Sequence, residues 1–343
     1  MSVSGREELS SADETVEVEA GPAVGPRSGR LKLSTLISEG AAPLGFIIMV
    51  ALFSAMRPGT FATMGTVTDL IDESAIPVML ACGLTFILAC GQFDLSFPGT
   101  LGLTSAITAT LLSSAGWPAG LVIVTALACG LGVGLTLGVI VAMRPGSTFI
   151  ISLSLGSVLT GIELAVGGNR SIYEGIPESF TGLANTKVLG FYGPVWVALG
   201  VIVLTTLLLH FTRFGRHVAA TGSNPDAAYL AGVRVKWVWA TCFVIMSVAA
   251  ALAAISYTST IASYIPNSYG GYLLTSYAAV FLGSTLAAGK FTIFGSVFGV
   301  VSLATLQTGL TQINQPLWTS NVVKGLVLAV AVFAASRSWR SQK

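Results

Sequence analysis

Ten apolar runs of 15 to 26 residues fill the chain between positions 42 and 336, most of them parted by short polar breaks. They cover 42–56, 74–90, 97–114, 118–143, 148–166, 194–211, 237–256, 272–288, 291–311 and 320–336. A helix crosses the hydrocarbon core of a bilayer in about 20 residues, with a range of about 17 to 25. Inside lipid the backbone must satisfy its own hydrogen bonds, and a helix does so. Of the 343 residues 53% are hydrophobic and only 9% charged, whereas a soluble domain carries roughly 25% charged residues. The pattern predicts an all-α, polytopic membrane protein with about ten transmembrane helices, the first of them short, in one membrane domain over 41–336.

Lysine and arginine set the orientation, because they accumulate in cytoplasmic segments. With the N-terminus inside, the inner segments hold Arg6, Arg27, Arg30, Lys32, Arg144, Arg213, Arg216, Arg234, Lys236, Lys290, Arg337, Arg340 and Lys343. The outer loops keep only Arg57, Arg170 and Lys187. This bias predicts both termini in the cytosol, a cytosolic loop over 212–236 and an outer loop over 167–193. Residues 1–40 are rich in Ser, Gly, Pro and Glu and lack the basic-then-apolar order of a signal peptide, so a disordered cytosolic tail is expected there. A second short tail is expected over 337–343.

Several function classes fall away on composition. A net charge of +2 gives no basic surface for nucleic acid. Cys82, Cys90, Cys129 and Cys242 sit singly in apolar runs and read as small hydrophobes, without metal or disulfide spacing. In "STLAAGKF" six residues from Gly283, in place of five, bring the second glycine at 289, and Phe291 stands where a P-loop needs Ser or Thr. The chain is therefore expected to hold no cofactor and to hydrolyse no ATP. Asp94 and Glu163 read as lying toward the two faces, too far from mid-membrane for the ion coupling of a secondary transporter. For Glu163 the expectation is interfacial water; for Lys324, snorkelling. Gly130, Gly134 and Gly138, and likewise Gly295 with Gly299, have the spacing of close helix crossings.

The polar stretch "TGSNPDAAYLAGVRV" over 221–235 carries its own start and stop signals. Asn224 is a strong N-cap, Pro225 suits the first helical position, and Asp226 complements the positive helix end. Gly232 stands where a left-handed C′ residue ends a helix. The seven residues between are too few for a stable helix in water. Such a helix needs a surface, and Ala227, Ala228 and Ala231 are expected to offer one to a partner.

Five stretches, in order from about residue 60 to 336, carry a resemblance to a known family. "GRHVAATGSNPDAAYLAGVRV" is similar to the cytosolic loop of the permeases of ATP-binding-cassette (ABC) importers for ribose, xylose and related sugars. "LTFILACGQFDLSFPGTLGLTSAI", "STFIISLSLGSVLTGIELAVGGNRSI", "VFLGSTLAAGKFTIFGSVFGV" and "VVKGLVLAVAVF" resemble their further motifs. Gln92, Ser284, Thr285, Ala288 and Phe291 depart from the family pattern. The resemblance implies a bacterial inner-membrane permease subunit that moves a monosaccharide, or a nucleoside or autoinducer-like sugar. It implies a second permease copy, a substrate-binding protein, and a separate ABC ATPase that binds ATP and Mg. Gly222, Asn224, Pro225, Asp226, Ala227, Ala228 and Gly232 would form the ATPase-coupling element. Gly91, Asp94, Ser96 and Gly289 are candidates for the pathway or its gate. Arg170 and Lys187, the cations of the long outer loop, are candidates for docking the binding protein.

Overall fold

The computed structural model describes residues 33–143 and 148–340. Arg6, Arg27, Arg30, Lys32, Arg144 and Lys343, and residues 1–32 of the tail expected over 1–40, lie outside the described residues. Thirteen α-helices make up nearly all of the rest. They are α1 Leu33–Met56, α2 Met64–Ala89, α3 Phe97–Ser113, α4 Ala119–Met143, α5 Thr148–Val166, α6 Glu178–Asn185 and α7 Gly193–Thr206. There follow α8 Arg213–Ser223, α9 Pro225–Leu230, α10 Val235–Ile261, α11 Gly271–Ser284, α12 Ile293–Gln312 and α13 Leu317–Arg340. A π-turn over Leu207–Phe211 extends α7, and a 3₁₀ turn over Thr285–Ala287 extends α11. The strands β1 Lys187–Val188 and β2 Phe191–Tyr192 form a hairpin.

All ten apolar runs are helical. Six helices, counting α7 with its π-turn, are long and apolar enough to cross a membrane by length and composition. Helix α13 runs to Arg340, through part of the tail expected over 337–343, and the boundaries differ further at two other places. Helix α1 begins at Leu33, inside the segment read as tail, and α2 begins at Met64, ten positions before the run over 74–90. The acids Asp69, Asp72 and Glu73 interrupt the apolar run but not the helix.

Helices α2 and α10 are the inner posts of the bundle. Met79 to Cys82 of α2 and Phe243, Met246 and Ala250 of α10 have no exposed surface. By contrast α4, α5 and α7 show wide apolar faces, with Val124, Ile150 and Leu204 all more than half exposed. In water such faces would drive aggregation; against lipid or another apolar helix they are at home. Small residues let the posts pack closely. A side chain on Gly130 would collide with Ala251, one on Gly134 with the Val244 backbone, and one on Gly138 with the Ala240 backbone. The expected glycine ladder thus fits α4 onto α10, and Gly299 lies against Ala279 of α11 in the same way.

Loops collect at two ends. At one, the Trp239 indole N–H donates to the Cys90 carbonyl at 3.3 Å, and Thr148 donates to the Gln92 amide oxygen. At the other, Ile172 and Tyr264 pair as a short antiparallel bridge, and the Tyr192 backbone N–H donates to Asp72 at 3.2 Å.

Candidate functional site

The expected short helix is present, and it stands beside a second one. Asn224 Oδ1 accepts from the backbone N–H groups of Asp226 and Ala227, each at 3.0 Å, so the N-cap of α9 is made twice over. Gly232 has φ +85°, its N–H donates to Tyr229 O, and the Val233 N–H donates to Ala228 O. This is a Schellman closure, for which glycine is the residue of choice. The preceding α8, eleven residues long and unforeseen as a helix, is capped by Thr212, whose side chain accepts from the Gly215 N–H.

One expectation is corrected here. Ala228 is 5% exposed and packs into the chain's own core, so it does not face a partner. The residues that α9 presents outward are Tyr229, 71% exposed, and Leu230, 85% exposed, with Ala227 and Ala231 beside them. Two large apolar side chains held outward on a rigidly capped six-residue helix form a knob. Gly222 joins this element to the bundle, because a side chain there would collide with the Ala89 carbonyl at the end of α2. Gly91, with φ +77°, approaches Gly222 from the other side. The coupling candidates and one gate candidate are therefore in direct contact.

Gly91 opens the break between α2 and α3, and Asp94 lies at its centre with no exposed surface. It lies at the end of the bundle where it was expected, but buried in protein. One carboxylate oxygen accepts from the Ser96 N–H at 2.7 Å and the Ser96 hydroxyl at 2.5 Å; the other is buried without a hydrogen-bond partner. Asp94 thus orders the start of α3, and Ser96 makes no side-chain cap of its own. The Tyr277 hydroxyl clamps the break by accepting from the Asp94 N–H at 3.0 Å and donating to its carbonyl at 2.8 Å. Phe93, Tyr277 and Phe281 stack in sequence and Phe291 meets Phe281 edge to face, with centroids 5.6 to 6.4 Å apart. This ladder runs from the break toward Gly289, which has φ +85° and follows the left-handed Ala288 where α11 ends.

At the opposite end Glu163 is 1% exposed, and the expectation of interfacial water is overturned. It accepts from the Tyr264 hydroxyl at 3.1 Å and the Asn267 N–H at 3.0 Å, tying α5 to the loop between α10 and α11. Burial first, and then the Glu163 charge, hold the Tyr264 hydroxyl well above the usual phenol range, so it remains a donor. The loop over 167–193, expected on the outer side, folds as the amphipathic helix α6, with Phe180 and Ala184 buried, followed by the hairpin. Arg170 and Lys187 are both exposed, and Lys187 lies 4.6 Å from the Tyr192 ring centroid.

The feature that sequence reading missed is a cavity of about 960 Å³ at this end, lined from α2, α7, α10, α11, α12 and α13. Asp72, Glu73 and Lys324 supply its charged groups, and Asn185, Gln307 and Asn321 its amide groups. Lys324 donates to the Gln307 amide oxygen, and the Thr308 hydroxyl donates to Glu73 at 3.4 Å. A signal was available: two adjacent acids interrupting an apolar helix. Among the described residues no group of three or more His, Cys, Asp or Glu is arranged to hold a metal ion.

The family described as the permease component of the branched-chain amino acid transport system matches residues 66–332. The chain belongs to this permease family. It is a multi-pass inner-membrane protein and a transporter subunit. It is 28% identical to the ribose import permease protein RbsC of Escherichia coli strain K12, over 88% of this chain and 94% of the relative. It is 31% identical to the autoinducer 2 import system permease protein LsrC of Yersinia enterocolitica, over 89% and 86%. The D-allose transport system permease protein AlsC of Escherichia coli strain K12 is 28% identical over 83% and 87%. No solved structure matches the chain.

Proposed function

We propose that this chain is the membrane-spanning subunit of an ATP-driven, binding-protein-dependent importer that moves a monosaccharide or a sugar-like solute into the cell. The helices of all ten apolar runs cross the bilayer, with both termini and the α8–α9 end in the cytosol, as the bias of Lys and Arg favours. The cavity end then faces outward. The names of the relatives, which refer to ribose, allose and autoinducer 2, support the solute class.

The observation that carries the reading is the α9 knob. Tyr229 and Leu230 stand outward on a capped helix that Ala228 anchors to the bundle, and two large apolar side chains held out in this way call for a partner groove. An ABC ATPase, holding ATP and Mg, docks there, and this chain binds no cofactor and performs no covalent step. Movement of the ATPase reaches α8, then through Gly222 the end of α2 and Gly91, and so the break that holds Asp94 and its Tyr277 clamp. Ser96, which tethers Asp94, and Gly289, at the far end of the aromatic ladder, complete this inner gate. Two copies of the chain form the pathway, and the apolar faces of α4, α5 and α7 meet lipid or the second copy. A substrate-binding protein docks at the outer end near Arg170 and Lys187.

The test is Leu230→Asp. The variant is expected to insert normally, to lose co-purification with the ATPase, and to lose ATP-driven uptake in a reconstituted system. Wild-type association together with wild-type uptake would refute the role of α9.

A further inference from the structure

We propose that the outer-end cavity is a binding station for the solute within the permease chain itself, built for a neutral polyhydroxylated molecule. The inference rests on the transport reading above and adds a site to it.

The ionisable groups stand within helices and not in the loops. Asp72 and Glu73 stand eight and nine positions past Met64, where α2 begins, about 12 Å along the helix at 1.5 Å per residue. Lys324 stands seven positions past Leu317, the start of α13, about 10 Å along. Ionisable groups inside helices of a membrane protein are costly unless they are paired or line a wet, functional cavity. Here each makes a single hydrogen bond to a neutral group: Asp72 with the Tyr192 N–H, Glu73 with Thr308, and Lys324 with Gln307. A carboxylate offers about four acceptor positions and an ammonium group three donors. Most of that capacity is left for a ligand in the cavity these groups line.

The lining also selects. Two carboxylates against one ammonium leave the site net negative, which disfavours anions. Sugar hydroxyls donate to carboxylates and accept from ammonium and amide groups, so this mixture suits a polyol on several sides. Tyr257 and Tyr272 line the same space and meet edge to face, with centroids 6.1 Å apart. Their carbon surface gives the C–H face of a sugar ring an apolar wall. The volume of about 960 Å³ is ample for a monosaccharide and lies within the usual range for small-molecule sites, about 300 to 1,000 Å³.

The experiment uses the full chain in lipid nanodiscs, without ATPase or binding protein, and saturation-transfer NMR with D-ribose, D-allose and D-xylose as probes and L-leucine as comparison. At least one sugar is expected to give a saturable signal in the millimolar range, and L-leucine none. Glu73→Gln is expected to weaken that binding at least fivefold, and so is Asn321→Ala, a milder change at an exposed position of the same wall. A signal from L-leucine alone, no signal from any of the three sugars, or a sugar signal unchanged in both variants would overturn the proposal. Reconstituted uptake separates the two claims. ATP-driven sugar uptake that both variants retain at the wild-type rate removes the station but leaves the transport reading standing. Absence of ATP-driven uptake of any sugar by the wild-type complex removes the transport reading itself.

Discussion

Removing one side chain, that of Asn224, should loosen α9 by a calculable amount. Asn224 Oδ1 satisfies two backbone N–H groups that the first turn leaves free, each at 3.0 Å. Alanine at an N-cap costs about 1 kcal/mol, with a range of about 0.5 to 2. At 1.4 kcal/mol per factor of ten, this raises the population of opened α9 about fivefold. Hydrogen exchange reads that population directly where opening is fast and reversible. The reporting amides are Ala231, bonded to Ala227 O, and Val233, bonded to Ala228 O. In Asn224→Ala they should exchange about fivefold faster, while amides in the middle of α10 keep their rates. Asn224→Asp keeps an acceptor at the cap and should leave the rates near wild type. Gly232→Ala attacks the other end of α9: its φ of +85° is costly for any residue with a Cβ, by roughly 1 to 2 kcal/mol, or about fivefold to thirtyfold in exchange. Unchanged exchange in both Asn224→Ala and Gly232→Ala would show that docking on the bundle, and not the caps, holds α9, and the argument from local signals would fail.

Two further outcomes are expected. Glu163→Leu removes the acceptor for Tyr264 and Asn267 and leaves buried donors unpartnered, at about 1 to 3 kcal/mol each; thermal unfolding in detergent should shift down by several degrees, and Glu163→Gln, which retains an acceptor, should recover most of the loss. A cysteine at Ser223 should resist impermeant thiol reagents in intact cells while one at Ser179, on the outer loop, reacts; the reverse pattern would invert the proposed orientation.

The fold was largely legible because lipid imposes one rule on the whole chain: long apolar runs become helices. Every run did. The α9 caps were equally legible, since Asn-Pro-Asp and a trailing glycine act through their own backbone neighbours. What failed depended on facing. Nothing in "PDAAYLA" distinguishes an alanine turned inward from one turned outward, and Ala228 turned inward because α9 lies against α10. Glu163 looked peripheral because its position along α5 was readable, but the loop folding over it from residues 264–267 was not. The cavity was hidden for a related reason. Asp72 and Glu73 argued for ending the apolar segment at 74, when in fact the helix continues and turns them toward Gln307 and Lys324, more than two hundred positions away in sequence.

The glycine ladder between α4 and α10 has a mechanical consequence. Backbones that touch at Gly130, Gly134 and Gly138 interlock at every turn, so the two helices resist sliding past one another and behave as one stiff beam. The beam starts directly after α9 and ends at Tyr257 and Thr260 in the cavity wall. Helix α10 has 27 residues, about 40 Å at 1.5 Å per residue. Tilted by about 5° around its α9 end, a rod of that length carries its far end about 3 Å. A displacement of that size would reshape the cavity wall without breaking a single helical hydrogen bond, and on the proposed transport reading a push at the α9 end would loosen a solute at the other through leverage alone.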